Sequence, residues 1–230
     1  MNWTAKPRLT AAPGAAPAKP SPVGSAAPAP NCRVSNGLKE FLWLISDVPR
    51  GRVLDLGPVW QSTVSFFVDK GYRVSSEDLL RGWKDFLTTE EERLRTAVVG
   101  EGGEKLSPSA LAEKFLETAL QYPEQSHHGV LAWDLLDYFD PAAVPPLIER
   151  LSHLVHPGGA VLALFHSRPA ERFHRYRIVD AQSVELIPAP TLAVHAHVFQ
   201  NREVLELFEQ FRSSKSFVGR DQVREALFVK

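Results

Sequence analysis

Residues 51–80, GRVLDLGPVWQSTVSFFVDKGYRVSSEDLL, constrain the fold more than any other stretch of the chain. RVLDLG is a short apolar run that ends in a turn glycine, which is typical of a buried parallel strand. Val64, Phe67 and Val68 follow at helical spacing, and Gly71 marks the end of that helix. YRVSSEDLL then predicts a second strand that ends in acids. A strand, a helix and a strand within about 30 residues form a βαβ unit.

The same alternation returns in the second half of the chain. Residues 129–139 predict a strand that runs into a loop, residues 140–159 a helix that ends near Pro157, and residues 160–167 another buried strand. Alternating strands and helices imply a mainly parallel sheet with helices on both faces and a ligand crevice at the carboxyl ends of the strands. We therefore predict an α/β, Rossmann-like, doubly wound fold.

The C-terminal part of the chain predicts an antiparallel end to this sheet. Residues 201–211 predict a helix with Asn201 as its cap, and residues 215–230 predict a hairpin around residues 219–222. The strand that should lie between residues 81 and 125 is less evident, because the only β-like piece there is TAVV at residues 96–99. That strand is predicted to be short, displaced or missing.

Residues 168–199 are long for a loop in a compact domain. Three pieces within them, RYRIVDA, SVELIPA and LAVHAHVF, are rich in residues that favour strands. We predict that this stretch is an insertion on the substrate side, overhanging the crevice.

Composition sets the domain boundary and the kind of partner. Residues 1–30 hold nine Ala and seven Pro with no acidic residue, so we predict a disordered leader ahead of one domain at residues 31–230. No signal peptide or membrane-spanning run is evident, which favours a cytoplasmic protein without a membrane partner. The domain's charges are too balanced for a general nucleic-acid binder, so a small-molecule partner is favoured. Cys32 is the single cysteine and excludes an intramolecular disulfide.

Over about residues 38–230 this order of pieces resembles the class I methyltransferases that use S-adenosylmethionine, a Rossmann-like family whose sheet ends in an antiparallel hairpin. The family's first strand ends in an acid-x-Gly-x-Gly loop, and VLDLG supplies Asp55 and Gly57. Its second strand ends in an acid that holds the ribose, and Asp78, with Glu77 beside it, lies about 20 residues after Gly57. The resemblance therefore implies an S-adenosylmethionine site that includes these four residues.

The stretches GVLAWDLLDYF and LSHLVHPGGAVLALF also resemble this family around its fourth and fifth strands. Trp133 follows the predicted fourth strand, where the resemblance places a cofactor contact, although plain packing is the alternative role. Asp134 and Tyr138 come next and could contact either the substrate or the methionine amine of the cofactor. His166 ends the fifth strand at the same edge and could serve as a general base. The catalytic candidates are thus His166, Asp134 and Tyr138.

The chain also departs from the family pattern. Val59 and Gln61 stand where the family commonly has glycines, and side chains there would narrow the cofactor pocket. His127 and His128 replace the acid that usually precedes the fourth strand. No His-Glu or Cys spacing indicates a metal site, so none is predicted.

Two roles stay open for each of the main acids, and three functions for the chain. Asp55 could organise the methionine end of the cofactor or accept amides in the turn after its strand. Asp78 and Glu77 could bind the ribose or cap the following helix. The chain is predicted to transfer a methyl group from S-adenosylmethionine to an unidentified small molecule. The alternative is a catalytically inactive relative with a binding or regulatory role, and an NAD-dependent enzyme is a distant third option.

Overall fold

A computed structural model describes residues 31–96, 106–219 and 221–230. The strands are β1 (Cys32–Val34), β2 (Arg52–Asp55), β3 (Arg73–Ser76), β4 (His127–Trp133), β5 (Val155–His166), β6 (His174–Asp180), β7 (Ser183–Pro188), β8 (Ser213–Val218) and β9 (Val223–Val229). The α-helices are α1 (Asn36–Ile45), α2 (Gln61–Asp69), α3 (Leu79–Thr96), α4 (Pro108–Leu116), α5 (Val144–Leu154) and α6 (Asn201–Leu207), with 3-10 helices at Leu135–Tyr138 and Pro141–Ala143.

The larger sheet has six strands in the order β3-β2-β4-β5-β9-β8. Strands β3, β2, β4 and β5 are parallel, whereas β9 runs antiparallel to both β5 and β8. The predicted α/β, Rossmann-like fold with an antiparallel end is therefore confirmed. β8 and β9 pair antiparallel and form the predicted C-terminal hairpin, while Arg220 of its predicted turn at residues 219–222 lies outside the described residues.

Two apolar clusters cover the two faces of this sheet, because successive side chains of a strand point to opposite faces. Val53 and Leu131 contribute to the cluster that contains α1, α2 and the β6–β7 hairpin. Their neighbours Leu54 and Val130 contribute to the cluster under α3, α4 and α5. Apolar side chains on both faces explain why β2 and β4 carry apolar residues at successive positions, Val53–Leu54 and Val130–Trp133.

A second sheet of three antiparallel strands has the order β1-β7-β6. Its strands β6 and β7 confirm the strands predicted in RYRIVDA and SVELIPA, whereas β1 was not predicted. The strand predicted for LAVHAHVF is wrong, since residues 192–199 contain none. The amides of Ala196 and His197 donate to the carbonyl oxygen of Asp137 at 2.8 and 3.2 Å instead of to a strand.

Three further details differ from the sequence prediction or lie beyond the described chain. Asn201 does not cap α6; Gln200 is the N-cap, and its amide donates to the carboxylate of Glu203 at 2.6 Å. Thr96 ends α3, while residues 97–99 of the predicted third strand lie outside the described residues, as does the predicted leader at residues 1–30. Within the described ranges, none of the helices has the length and hydropathy that a bilayer crossing requires.

Candidate functional site

The predicted site residues lie where the sheet geometry predicts, at the carboxyl edge of the parallel strands. Asp55 ends β2 and pairs with Ser76 of β3 and Leu131 of β4, so the segments that leave these three strands begin side by side. Trp133 ends β4 and His166 ends β5. This edge is where open α/β sheets bind ligands.

Asp55 is buried and serves the turn that follows its own strand. Its side chain is 1% exposed, and Oδ1 accepts hydrogen bonds from the amide of Gly57 at 3.0 Å and from Nε1 of Trp133 at 2.7 Å. Burial raises the pKa of Asp55 to about 6, although both hydrogen bonds act to lower it. Of the two roles predicted for Asp55, the structure shows the one in the turn.

Trp133 fills the space between the ends of β2 and β4. The β4–β5 register shifts between Leu131 and Trp133, and Trp133 has a φ of +49°, which is rare for a residue with a large side chain. Its indole stacks on the ring of Tyr176 with centroids 5.5 Å apart and planes 5° apart. A Cβ on Gly57 would lie 3.1 Å from the same indole, so a side chain here would force Trp133 to shift by a few tenths of an ångström.

The carboxylates of Asp78 and Glu77 also form ion pairs or hydrogen bonds within the protein. Asp78 Oδ2 forms an ion pair with Nη2 of Arg175 at 2.9 Å, while its Oδ1 accepts weakly from the amide of Arg81 at 3.3 Å in the first turn of α3. Glu77 Oε1 accepts from the amide of Leu120 at 3.0 Å. The structure thus shows Asp78 as a helix cap and an ion-pair partner.

Little space remains between the ends of β2 and β4 and the residues that cover them. The cavity enclosed by residues of the β2 and β4 ends and by Phe173–Tyr176 has a volume of about 10 Å³. Such a cavity holds at most about one water molecule, whereas small-molecule sites span about 300–1,000 Å³. The space beside Trp133 and Tyr176 is therefore too small for a cofactor in this arrangement of side chains, whereas an open cavity of about 440 Å³ is lined by Glu77 and Asp78. Val59 and Gln61, which the sequence singled out as narrowing the pocket, are both exposed; the crevice is filled by Trp133 and Tyr176 instead.

Asp134 and His166 form a hydrogen-bonded pair beside the filled crevice. Asp134 Oδ2 lies 3.0 Å from Nε2 of His166 and accepts from the hydroxyl of Tyr176 at 2.9 Å. Burial acts to lower the pKa of His166, but the hydrogen bond and charge of Asp134, together with the charge of Asp137, outweigh it and raise that pKa. An imidazole oriented by a carboxylate is an arrangement that acid–base chemistry uses.

Asp137 and Tyr138 are also buried. Asp137 Oδ2 accepts from the amide of His166 at 2.7 Å, and burial raises the pKa of its carboxyl group. Tyr138 packs edge to face on Phe173, and burial also raises its pKa. Its hydroxyl has no hydrogen-bond partner among the described residues. The three catalytic candidates thus separate into a pair, Asp134 and His166, and a buried tyrosine.

An open cavity of about 220 Å³ lies on the other side of His166. Its wall is formed by the segment after β5, the start of β6 and the β8–β9 turn, and it includes Arg168, Arg172, His174 and Asp221. In the described part of the chain, no three His, Cys, Asp or Glu side chains are grouped as a metal ion would need. Arg175 and Tyr176, which cover the crevice, were not predicted as site residues.

Comparisons with known proteins find similarity at the level of structure. No protein-family model matches the chain, and no curated protein matches it. The chain is similar to the 1,6-didemethyltoxoflavin-N1-methyltransferase of Burkholderia thailandensis, solved with 1,6-didemethyltoxoflavin and S-adenosylhomocysteine, at 16% identity and a TM-score of 0.46 over 84% of this chain and 76% of that one.

Two further solved structures to which the chain is similar are also methyltransferases. A S-adenosylmethionine-dependent methyltransferase of Methanosarcina mazei matches at 13% identity and a TM-score of 0.41, over 80% of this chain and 93% of that one. A glycopeptide N-methyltransferase solved with S-adenosylmethionine matches at 16% identity and a TM-score of 0.38, over 91% and 99%. The chain is thus similar to solved S-adenosylmethionine-dependent methyltransferases, at a distance that does not by itself assign it a function.

Proposed function

We propose that this chain is a methyltransferase-like protein with a binding or regulatory role, in which the chain's own side chains occupy the cofactor crevice. The observation that carries the proposal is the cavity of about 10 Å³ at the ends of β2 and β4. Asp55 is bonded to Trp133, and Asp78 is paired with Arg175. The two carboxylates that the family resemblance assigns to S-adenosylmethionine are therefore both engaged internally.

The groups that close the crevice belong to the hydrophobic core. Tyr176, Ile178 and Val184 of the β6–β7 hairpin are 3%, 1% and 3% exposed and pack in the same cluster as Trp133. The amide of Ile178 also donates to the hydroxyl of Thr63 in α2 at 3.0 Å. Exposing an apolar side chain of this size costs about 1.5–3 kcal/mol. Moving three of them would use most of the ~8 kcal/mol that a micromolar ligand supplies.

A second candidate function is S-adenosylmethionine-dependent methyl transfer to a small molecule, and the Asp134–His166 pair favours it. The raised pKa of His166 and its position at the end of β5 suit a general base that accepts a proton from a hydroxyl or amine. S-adenosylmethionine would supply an already activated methyl group. This function requires that Trp133 and the hairpin leave the crevice first.

Calorimetric titration with S-adenosylmethionine and S-adenosylhomocysteine tests the proposal. We expect no binding by the wild-type chain and none by Arg175→Ala, because Trp133 and Tyr176 still fill the crevice in that variant. Arg177→Ala is the matched control, since Arg177 lies on the same strand but pairs with Glu185. Micromolar binding by the wild-type chain would overturn the proposal and favour methyl transfer. Binding by Arg175→Ala alone would show that the Arg175–Asp78 pair excludes the cofactor from a working site.

A further inference from the structure

We propose that the open cavity beside His166 binds a small molecule that carries a carboxylate or phosphate group. This inference deepens the proposed function and rests on it, because it gives the binding role a site and a class of ligand. The cavity lies at the carboxyl edge of β5, next to the filled crevice but outside it. Its volume of about 220 Å³ suits a compact metabolite smaller than the usual drug-sized ligand.

The charged groups around the cavity favour an anion. Arg168 and Arg172 line it, and neither has an ion-pair partner within the described ranges. Two carboxylates, those of Glu171 and Asp221, line it as well, but Asp221 is paired with Arg33 at 3.2 Å. Among the described residues, two guanidinium groups and one carboxylate, that of Glu171, thus line the cavity without an ion-pair partner. A guanidinium group binds carboxylate and phosphate through two parallel hydrogen bonds, which makes arginine the usual residue at such sites.

His166 contributes a polar side chain to the cavity wall, and its position is fixed by hydrogen bonds. Its Nε2 is bound to Asp134, its amide donates to Asp137, and its side chain is only 14% exposed. The remaining ring nitrogen, Nδ1, has no hydrogen-bond partner in the part of the chain that the structure describes. Carboxylate or phosphate oxygens could therefore accept from the two arginines while another polar atom of the ligand bonds to Nδ1.

The rest of the lining suits the body of such a ligand. Pro169, Ala170, Leu186 and Val223 contribute apolar surface beside the charged groups. A site with an apolar wall and a few convergent polar groups is the usual construction of a small-molecule pocket. The ligand class is therefore a small organic acid or phosphate monoester with an apolar portion.

NMR titration of the full-length chain tests this inference, with benzoate and inorganic phosphate as probes and sodium chloride added to hold the ionic strength constant. We expect saturable shifts of the His166 ring signals with at least one probe. In Arg168→Ala and Arg172→Ala the affinity should fall about tenfold for each charged hydrogen-bond donor that is lost. Both side chains are exposed, so these variants should fold. Arg202→Ala is the control, since Arg202 is an exposed arginine outside the cavity.

The outcomes separate this inference from the proposed function. Shifts that do not saturate, that chloride reproduces, or that persist at the same affinity in both cavity variants would overturn the anion site. The same result would leave the closed crevice untouched, because that is tested by S-adenosylmethionine binding. Conversely, micromolar S-adenosylmethionine binding would overturn the proposed function even where the anion titration succeeds.

Discussion

The pH dependence of stability in Asp55→Asn tests whether the crevice is closed. Burial raises the pKa of Asp55 from its ordinary value of 3.8 to about 6 in the folded protein. The stabilisation that this group gives in its protonated form is fully present below about pH 4 and is lost as the pH rises through about 6. A separation of about two pH units corresponds to about 3 kcal/mol of unfolding free energy.

Asparagine keeps the acceptor oxygen for Gly57 and Trp133 but carries no ionisable proton. We therefore expect the free energy of unfolding of the wild-type chain to fall relative to Asp55→Asn by about 3 kcal/mol between about pH 4 and pH 7. Urea unfolding at a series of pH values measures this difference. Asp69→Asn, at an exposed carboxylate of α2, is the control and should run parallel to the wild type.

One result of this experiment would contradict the prediction. Parallel profiles for the wild type and Asp55→Asn would mean that the folded protein ionises Asp55 as easily as the unfolded chain does. A carboxylate can do so only where water, a cation or hydrogen-bond donors stabilise its charged form. Burial of Asp55 would then not outweigh the hydrogen bonds from Gly57 and Trp133, and this argument for a closed crevice would be lost.

Three further changes test the packing around the site by thermal or urea unfolding. Gly57→Ala should lower the free energy of unfolding by about 1–3 kcal/mol, because its Cβ would lie 3.1 Å from the Trp133 indole. Gly82→Ala in α3 is the control and should raise it by about 0.5–1 kcal/mol. Equal effects of the two substitutions would refute the close approach. Trp133→Phe should lower the free energy of unfolding by about 1–3 kcal/mol, because Asp55 loses the hydrogen bond from the indole Nε1. An unchanged midpoint of unfolding would contradict this prediction. Glu225→Ala should lower the free energy of unfolding by about 1–3 kcal/mol, because it removes the buried partner of Arg33 and the acceptor of the Gly37 amide and leaves Arg33 with the more exposed Asp221 alone; an unchanged free energy would show that Asp221 suffices.

Much of the fold could be predicted because the central strands β2, β4 and β5 of the larger sheet are buried on both faces. Val53 and Leu54 pack on opposite sides of the sheet, so β2 needed apolar residues at successive positions and stood out in the sequence. The positions of Asp55, Asp78 and His166 at one edge followed from the parallel arrangement alone. LAVHAHVF misled because its alternation of apolar and polar residues is also compatible with an extended segment that donates hydrogen bonds to a single carbonyl oxygen.

The closure of the crevice could not be predicted, because it depends on contacts between distant parts of the chain. Arg175 and Asp78 are 97 residues apart in sequence, and neither residue type indicates the other. The alternation of RYRIVDA predicts that Tyr176 and Ile178 share one face of a strand, but not that this face covers the end of β2. A strand's partner is set by the packing of the whole domain.

Trp133 shows why one sequence position can carry opposite predictions. An aromatic residue after β4 could bind a cofactor or replace it, since both roles require apolar surface at the same edge of the sheet. The deciding features are its φ of +49° and the register shift before it, which direct the indole towards Asp55. The sequence does not signal a left-handed backbone at tryptophan, because only residues such as glycine and asparagine favour one. Only the folded chain shows that Trp133 occupies the crevice.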